Sequence, residues 1–249
     1  MNDLWTKAYF DTVYLQRWAL GLPDEAVFRQ VDFLIGELNA SQGNSLIDVA
    51  CGQGRYSLAF AARGLHVTGL DASGVLLREA RRLASEAGVR VNWMLGDMRR
   101  PPATETYDYG LLLDSFGFFE SDEENENVIR QLRRAVVPGG RIVIAVVNGA
   151  KILKNFGPVG REEHDGRVVE IRRELDADRR ILREEVVVIG PEGRQAGERR
   201  QRLYSASEIA GIAARNGFRS RQLYGDMLGD AFSEDTSWKI LLICDRIDA

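Results

Sequence analysis

Cysteine and histidine are scarce in this 249-residue chain, with two of each. Cys51 and Cys244 stand too far apart to match a metal-ligand spacing, and His66 and His164 cannot make a zinc site on their own. A metal-dependent mechanism would have to rest on carboxylates, and no metal is expected. A chain this long buries roughly 70–75 % of its unfolded surface, so disulfide staples are not required. The opening residues, Met1-Asn2-Asp3-Leu4-Trp5, hold neither a basic stretch nor an apolar one. No secretory leader is expected, and two free thiols suit a reducing cytoplasm. No apolar run reaches 18 residues, so no membrane span or membrane partner is expected. Positive charge is not in excess: the net charge is −4 and the pI about 5.4. Nucleic-acid binders usually carry a basic surface, so a nucleic-acid partner is not expected. Arginine supplies 29 of the 33 basic residues, a bias that genome composition explains without a function. Proline is low at 6, glycine high at 25, and the chain is 45 % hydrophobic and 28 % charged. That composition excludes collagen, coiled coil and wholesale disorder.

What is present is an alternation of apolar runs and amphipathic stretches between Ser45 and Val147. Ser45 to Ala50 reads as a buried strand, Gly54 to Ala62 as a helix and Leu65 to Leu70 as a second strand. Ser73 is an N-cap for a helix to Ala87, whose buried stripe is Leu76, Leu77, Ala80 and Ala84. Val89 to Leu95 and Tyr107 to Leu113 are strands three and four. The fourth is apolar throughout, as a strand covered on both faces requires. Ser121 with Glu124 predicts a capping box opening a helix through Val136. Pro138-Gly139-Gly140 predicts a turn, and Arg141 to Val147 strand five. Strands alternating with helices predict a doubly wound, mostly parallel sheet, with its site at the carboxyl ends of the strands.

The rhythm changes after Val147. Val168 to Leu175 and Ile181 to Ile189 alternate polar and apolar residues, and Glu198 to Tyr204 is a third run able to pair with them. They predict an antiparallel ribbon inserted into the sheet domain. Ser205 with Glu208 predicts a second capping box, and Phe218 to Gly225 and Trp238 to Arg246 the last two of seven strands. Residues 3–20 predict an aromatic-rich leading helix. The expected organisation is a helical lid over 1–44, a ligand-binding core over 45–147, a β insertion capping the site over 148–204, and the closing elements over 205–249.

The chemistry is concentrated at strand tips. Asp48-Val49-Ala50-Cys51-Gly52-Gln53-Gly54-Arg55 places small residues at 50, 52 and 54, where the chain must turn sharply and approach a ligand. It is neither a G-x-G-x-x-G fingerprint nor a Walker loop, so a pyrophosphate is not the obvious guest. Asp71, about 20 residues after the glycines with Ala72 beside it, suits the hydroxyls of a ribose. Gly96-Asp97-Met98 offers a carboxylate for an adenine amino group and a thioether to pack on the ring.

In this order and spacing the motifs resemble those of the class I S-adenosylmethionine-dependent methyltransferases, over residues 45–147 and more loosely through the last two strands. The resemblance implies that Asp48, Ala50, Gly52 and Gly54 form the glycine loop. It makes Asp71 and Ala72 the ribose side and Asp97 and Met98 the adenine clamp. The carbonyls near Ala50 and Leu113 would bind the methionine amino group. Glycine often stands in the family where this chain has Ala50. The layout is similar to a small-molecule subgroup in which the leading helix and a β insertion close over the acceptor. S-adenosylmethionine is thus the expected cofactor, and a small molecule methylated on nitrogen or oxygen the expected partner.

Transfer of a methyl from sulfonium depends mainly on placement, with a base where the acceptor must lose a proton. Asp114, following strand four, is the candidate base. Tyr14, Trp18 and Phe119 are candidates for the aromatic wall of the acceptor pocket, and Tyr224, with Asp226, for its far edge. Helical spacing lets core packing explain Tyr14 and Trp18 equally. His164 reads as a loop histidine, His66 as structural, and Cys51 as a small filler. Arg199-Arg200-Gln201-Arg202 reads as strand alternation. The competing readings are a nucleic-acid or protein methyltransferase, and a non-catalytic adenosylmethionine-binding regulator. The absence of Asn/Asp-Pro-Pro-Tyr after strand four, where Asp114-Ser115-Phe116-Gly117 stands, weighs against the nucleic-acid form.

Overall fold

The structure is a computed structural model that describes residues 9–17, 24–101, 106–164 and 166–247. Its larger sheet has seven strands: β1 (Ser45–Val49), β2 (His66–Asp71), β3 (Asn92–Leu95), β4 (Tyr107–Leu113), β5 (Val136–Val147), β10 (Phe218–Tyr224) and β11 (Lys239–Arg246). They lie in the order β10-β11-β5-β4-β1-β2-β3, with β11 alone running opposite to the other six. The chain leaves β1 toward β2 and β3 and then returns to the other side as β4. That reversal opens a crevice at the carboxyl ends of β1 and β4, where open α/β sheets bind ligands.

Side-chain alternation along the strands sorts the core onto two faces. Leu46, Leu111, Val143 and Leu241 pack under helices α3 (Glu25–Leu38) and α4 (Arg55–Ala62). Their neighbours Ile47, Leu112, Ile144 and Leu242 pack under α6 (Asp122–Ala135) and α8 (Ala206–Arg215). Helix α3 buries Val27, Val31, Leu34 and Leu38, and each such side chain contributes about 1.5–3 kcal/mol of transfer free energy. Helix α5 (Gly74–Ala87) starts at Ser73, whose hydroxyl accepts the Leu76 amide at 3.1 Å, and ends at Gly88 in the left-handed region.

Several boundaries differ from the sequence expectation. At α6 only half of the capping box forms: Ser121 Oγ accepts the Glu124 amide, but the Glu124 carboxylate turns to Arg99 at 2.6 Å. The full box forms at α8, where Glu208 accepts the Ser205 amide at 2.8 Å. The expected turn at Pro138-Gly139-Gly140 lies inside β5. Val136 already pairs with Tyr107, and the irregularity in register between Tyr107 and Tyr109 takes up the detour, with Gly139 at φ +74°.

The insertion is a second sheet of its own. Four antiparallel strands, β6 (Val159–His164), β7 (Arg167–Asp176), β8 (Ile181–Gly190) and β9 (Gly193–Arg202), run in sequence order. The third expected run begins earlier than predicted, at Gly193, and β6 and the short helix α7 (Gly149–Lys154) were not anticipated. One face of this sheet buries Val169, Ile171, Val186 and Val188 against Tyr9 and Val13. Those two residues belong to α1 (Tyr9–Val13, a π-helical turn), which continues as α2 (Tyr14–Arg17). The remainder of the expected leading helix, including Trp18, lies outside the described residues.

Candidate functional site

The glycine loop owes its shape to backbone that ordinary residues avoid. Ala50, Gly52 and Gly54 take φ of +57°, +59° and +82°, the left-handed region that only glycine enters freely. Ala50 is held there by its neighbours: the Cys51 amide donates to the Leu70 carbonyl at 3.1 Å, and the Gly54 amide to the Cys51 carbonyl at 3.0 Å. Gly52 is buried, and an added Cβ would meet the Tyr14 side chain at 3.8 Å, an ordinary contact distance, so its positive φ rather than lack of room calls for glycine. Gly54 differs from the expectation of close ligand approach. Its vacant side-chain position is filled by the Trp93 ring, 2.3 Å from where a Cβ would stand, and Gly69 makes room for the same ring.

Asp71, at the tip of β2, is tied to that loop. One carboxylate oxygen accepts the Gly52 amide at 2.7 Å, and the other the Ser73 amide at 2.8 Å. Burial raises its pKa, the two amides oppose the rise, and the nearby Asp11 charge adds to it. Each oxygen retains a lone pair, so the carboxylate can still accept hydroxyl donors. Ala72 beside it is exposed. Asp48 lies beneath the loop, buried, and accepts the Ser57 hydroxyl at 2.5 Å. Burial, with Asp71 nearby, pushes its pKa to about 7 despite that hydrogen bond. Asp48 therefore braces the turn from below. Cys51 is a free thiol beside the loop, its pKa pushed well up by burial.

The carbonyls of Ala50 and Leu113 converge on one hydroxyl. Ser115 Oγ is 2.8 Å from Leu113 O and 3.3 Å from Ala50 O. Two backbone acceptors aimed at one donor are what an ammonium group requires. Asp71, Gly52 and this carbonyl pair together fit a nucleoside with an amino-acid tail.

The other candidates stand in the following surroundings. Asp97 does not present a free carboxylate: Arg99 donates to both of its oxygens, at 2.6 Å to one, and also bridges to Glu124. Burial works to raise the Asp97 pKa, but the Arg99 hydrogen bonds outweigh it and hold the carboxyl below its usual value. Met98 is half-buried beside it against the α6 face. Phe119 lies under the same guanidinium, 4.4 Å from ring centre to Arg99 Cζ. Asp114, at φ +54°, has both carboxylate oxygens engaged by Lys239 Nζ. Each oxygen keeps a lone pair, so the carboxylate can still accept a further donor. Tyr224 packs on Phe33 of α3, ring centroids 5.2 Å apart, toward the β10 edge. Asp226 is equally committed, one oxygen accepting the amides of Leu228, Gly229 and Asp230 at 2.9 Å each.

Tyr14 is the aromatic candidate that the structure brings to the loop. Its ring covers Gly52. Burial, followed by the charges of Asp114 and, more weakly, Asp71, pushes its hydroxyl up to about 12. Asp11, on the turn before, accepts the Ser73 hydroxyl at 2.5 Å. Of the histidines, His66 is exposed at the start of β2, and His164 lies in β6 rather than in a loop. The basic run on β9 is neutralised locally: Arg199 pairs with Glu184, Arg200 with Glu120, and Arg202 with Asp122 and Glu208. Lys239 and Arg99 were missed in the sequence. Arg99, two residues after Asp97, left a readable signal; Lys239, 125 positions from Asp114, left none. Among the described residues no helix is long and apolar enough to cross a membrane.

Residues 46–140 match the family model described as a methyltransferase domain. Among curated proteins, the ubiquinone biosynthesis O-methyltransferase of Aeromonas salmonicida is 28 % identical over 148 residues, 54 % of this chain and 61 % of that one. The chain thus spans less than two thirds of that relative. Among solved structures, an S-adenosylmethionine-dependent methyltransferase from Clostridium acetobutylicum superposes with a TM-score of 0.82 at 15 % identity, covering 96 % of this chain and 98 % of the other. The sugar N-methyltransferase KedS8 from Streptoalloteichus has a TM-score of 0.69 at 19 % identity, over 96 % and 93 %. These likenesses establish the Rossmann-like methyltransferase fold.

Proposed function

We propose that this protein is a class I S-adenosylmethionine-dependent methyltransferase acting on a small molecule. The observation that carries the reading is the convergence at the β1–β4 crevice of three ligand-binding features. They are the left-handed glycine turn at Gly52, the Asp71 carboxylate and the paired carbonyls of Ala50 and Leu113, all within the segment that matches the methyltransferase model. When bound, the cofactor supplies a methyl group already activated on sulfonium. The protein's part is then placement. Asp71 would receive the ribose hydroxyls, and the two carbonyls the amino group, with Ser115 yielding its position to it. Asp48 and Gly54 would hold the loop's shape, and Ala72, Asp97 and Met98 would line the adenine side, Asp97 through its Arg99-held carboxylate. The Tyr14 ring over Gly52 would keep water from the reacting centre, which strengthens the electrostatics of the site.

Relatives named for O-methylation in ubiquinone biosynthesis and a neighbour named for sugar N-methylation support a small acceptor. The local pairing of Arg199, Arg200 and Arg202 with carboxylates weighs against a nucleic-acid surface there. Two unpaired cysteines suit the cytoplasm, where we expect the protein to act. The test is production of S-adenosylhomocysteine from S-adenosylmethionine across a panel of small hydroxyl and amino acceptors. Acceptor-dependent product is expected. Tight donor binding without product for any acceptor would point to a non-catalytic regulator.

A further inference from the structure

The mouth of the crevice carries a charge arrangement that bears on which atom is methylated. Asp114 leaves β4 directly after Leu113, one of the two carbonyls at the tail seat, and its charge is felt by Tyr14 above Gly52. Its carboxylate is held by Lys239, the first residue of β11. Lys239 also forms one side of a cavity of about 430 Å³, whose other walls include Gln30, Met227, Leu228 and Trp238. Trp238 is 58 % exposed and offers a flat apolar face, with Lys151 of α7 4.4 Å from its ring centre. One ammonium group thus lies over the Trp238 ring and a second, that of Lys239, lines the same cavity. Carboxylates near them include Asp114, paired with Lys239, Asp226, committed through one oxygen to three backbone amides, Asp230, which is exposed, and Asp235, paired with Lys154 of α7.

We propose that the Lys239–Asp114 pair selects an acceptor bearing an acidic hydroxyl, such as a phenol, over an aliphatic amine, with Lys239 holding the acceptor oxygen in its ionised form. The inference rests on the methyltransferase reading above. An aliphatic amine reaches the site as a cation and would meet Lys239 as a like charge, with the adjacent Asp114 carboxylate already paired to that lysine. A hydroxyl loses a proton and becomes an anion, which an ammonium at hydrogen-bond distance stabilises. The half-exposed Asp114 carboxylate offers the departing proton a route to water. The acceptor oxygen then uses a lone pair to form its bond to the methyl carbon as the methyl–sulfur bond breaks, with sulfur keeping that electron pair. No oxidant or further reactant is needed.

The test uses the complex with S-adenosylhomocysteine and 4-nitrophenol as probe, since its anion is coloured and its ionisation can be read while bound. In the wild-type complex the ionisation midpoint of the bound probe should fall by at least about one pH unit, a tenfold change in the equilibrium. Lys239→Gln should abolish the shift and Lys239→Arg restore most of it, with adenosylhomocysteine affinity by calorimetry unchanged in both variants. Glucosamine, a cationic amine, should not displace the probe at tenfold excess. Absence of probe binding, an unshifted midpoint, equal midpoints in wild type and Lys239→Gln, or displacement by glucosamine would each overturn the inference alone. Failure of adenosylhomocysteine itself to bind would overturn the methyltransferase reading beneath it.

Discussion

Asp48 and Asp71 are both buried at the crevice, yet they differ in what surrounds them. Burial is the leading cause at both and raises both; backbone amides oppose it at Asp71, and Ser57 opposes it at Asp48, whose pKa still rises to about 7. The raised value fixes the sign of a pH effect. The unfolded chain releases this proton near pH 4 and the folded protein near pH 7, so the folded state binds more protons between those limits. Its stability from this group is full below about pH 4 and declines as the pH rises to about 7. Asp48→Asn should flatten that part of the thermal-stability profile, measured as melting temperature from pH 4 to 8. An identical slope in both proteins would assign the dependence elsewhere. Asp114 is expected to act on the acceptor side alone. Asp114→Asn should leave adenosylhomocysteine affinity within about twofold while lowering turnover, and an equal loss of both would place it with the cofactor.

At the scale of elements, the tips of β1, β2 and β3 are locked by one ring. Trp93 of β3 occupies the space that Gly69 of β2 and Gly54 of the loop leave vacant. Gly69→Ala puts a Cβ 2.5 Å from that ring, and such overpacking costs typically about 1–3 kcal/mol. A double-mutant cycle with Trp93→Leu should recover most of the loss in a urea titration, and strict additivity would mean that the contact is unimportant. The parallel core was legible in the sequence because strands such as Leu111-Leu112-Leu113 are apolar on both faces. Asp71 was legible because its spacing from the glycines follows from the strand–helix–strand unit. Helix α3 carried a readable signal that went unused: Asp24 caps it, and Val27, Val31, Leu34 and Leu38 recur at helical spacing. Strand β6 carried none. Val159-Gly160-Arg161-Glu162-Glu163-His164 has a single apolar residue and is a strand only because β7 pairs with it. The second partner of Arg99 and the partner of Asp114 were hidden for the same reason as β6, since Glu124 and Lys239 arrive from distant parts of the chain.

At the scale of the whole molecule, the helical segment 9–17 joins the two sheets. Tyr9 and Val13 fill the apolar face of the second sheet, and Arg17 pairs with Glu162 of β6 at 2.9 Å. On its other side Asp11 bonds Ser73, and Tyr14 covers Gly52. A ligand in the crevice therefore meets an element that also completes the core of the second sheet. Binding of adenosylhomocysteine should slow amide exchange in β7 and β8 as well as around residues 50–54, and Tyr14→Ala should uncouple the two. Protection confined to the crevice would show that the sheets act independently.

All of these expectations depend on a nucleoside with an amino-acid tail occupying the crevice at the carboxyl ends of β1, β2 and β4. The most direct measurement is a calorimetric titration of adenosylhomocysteine into the wild-type protein and into Asp71→Ala. A saturable one-site isotherm is predicted for the wild type, weakened in the variant by about 1.5–3 kcal/mol, the value of hydrogen bonds to a charged group. No saturable heat at high protein concentration, or equal affinity in the two proteins, would contradict the account.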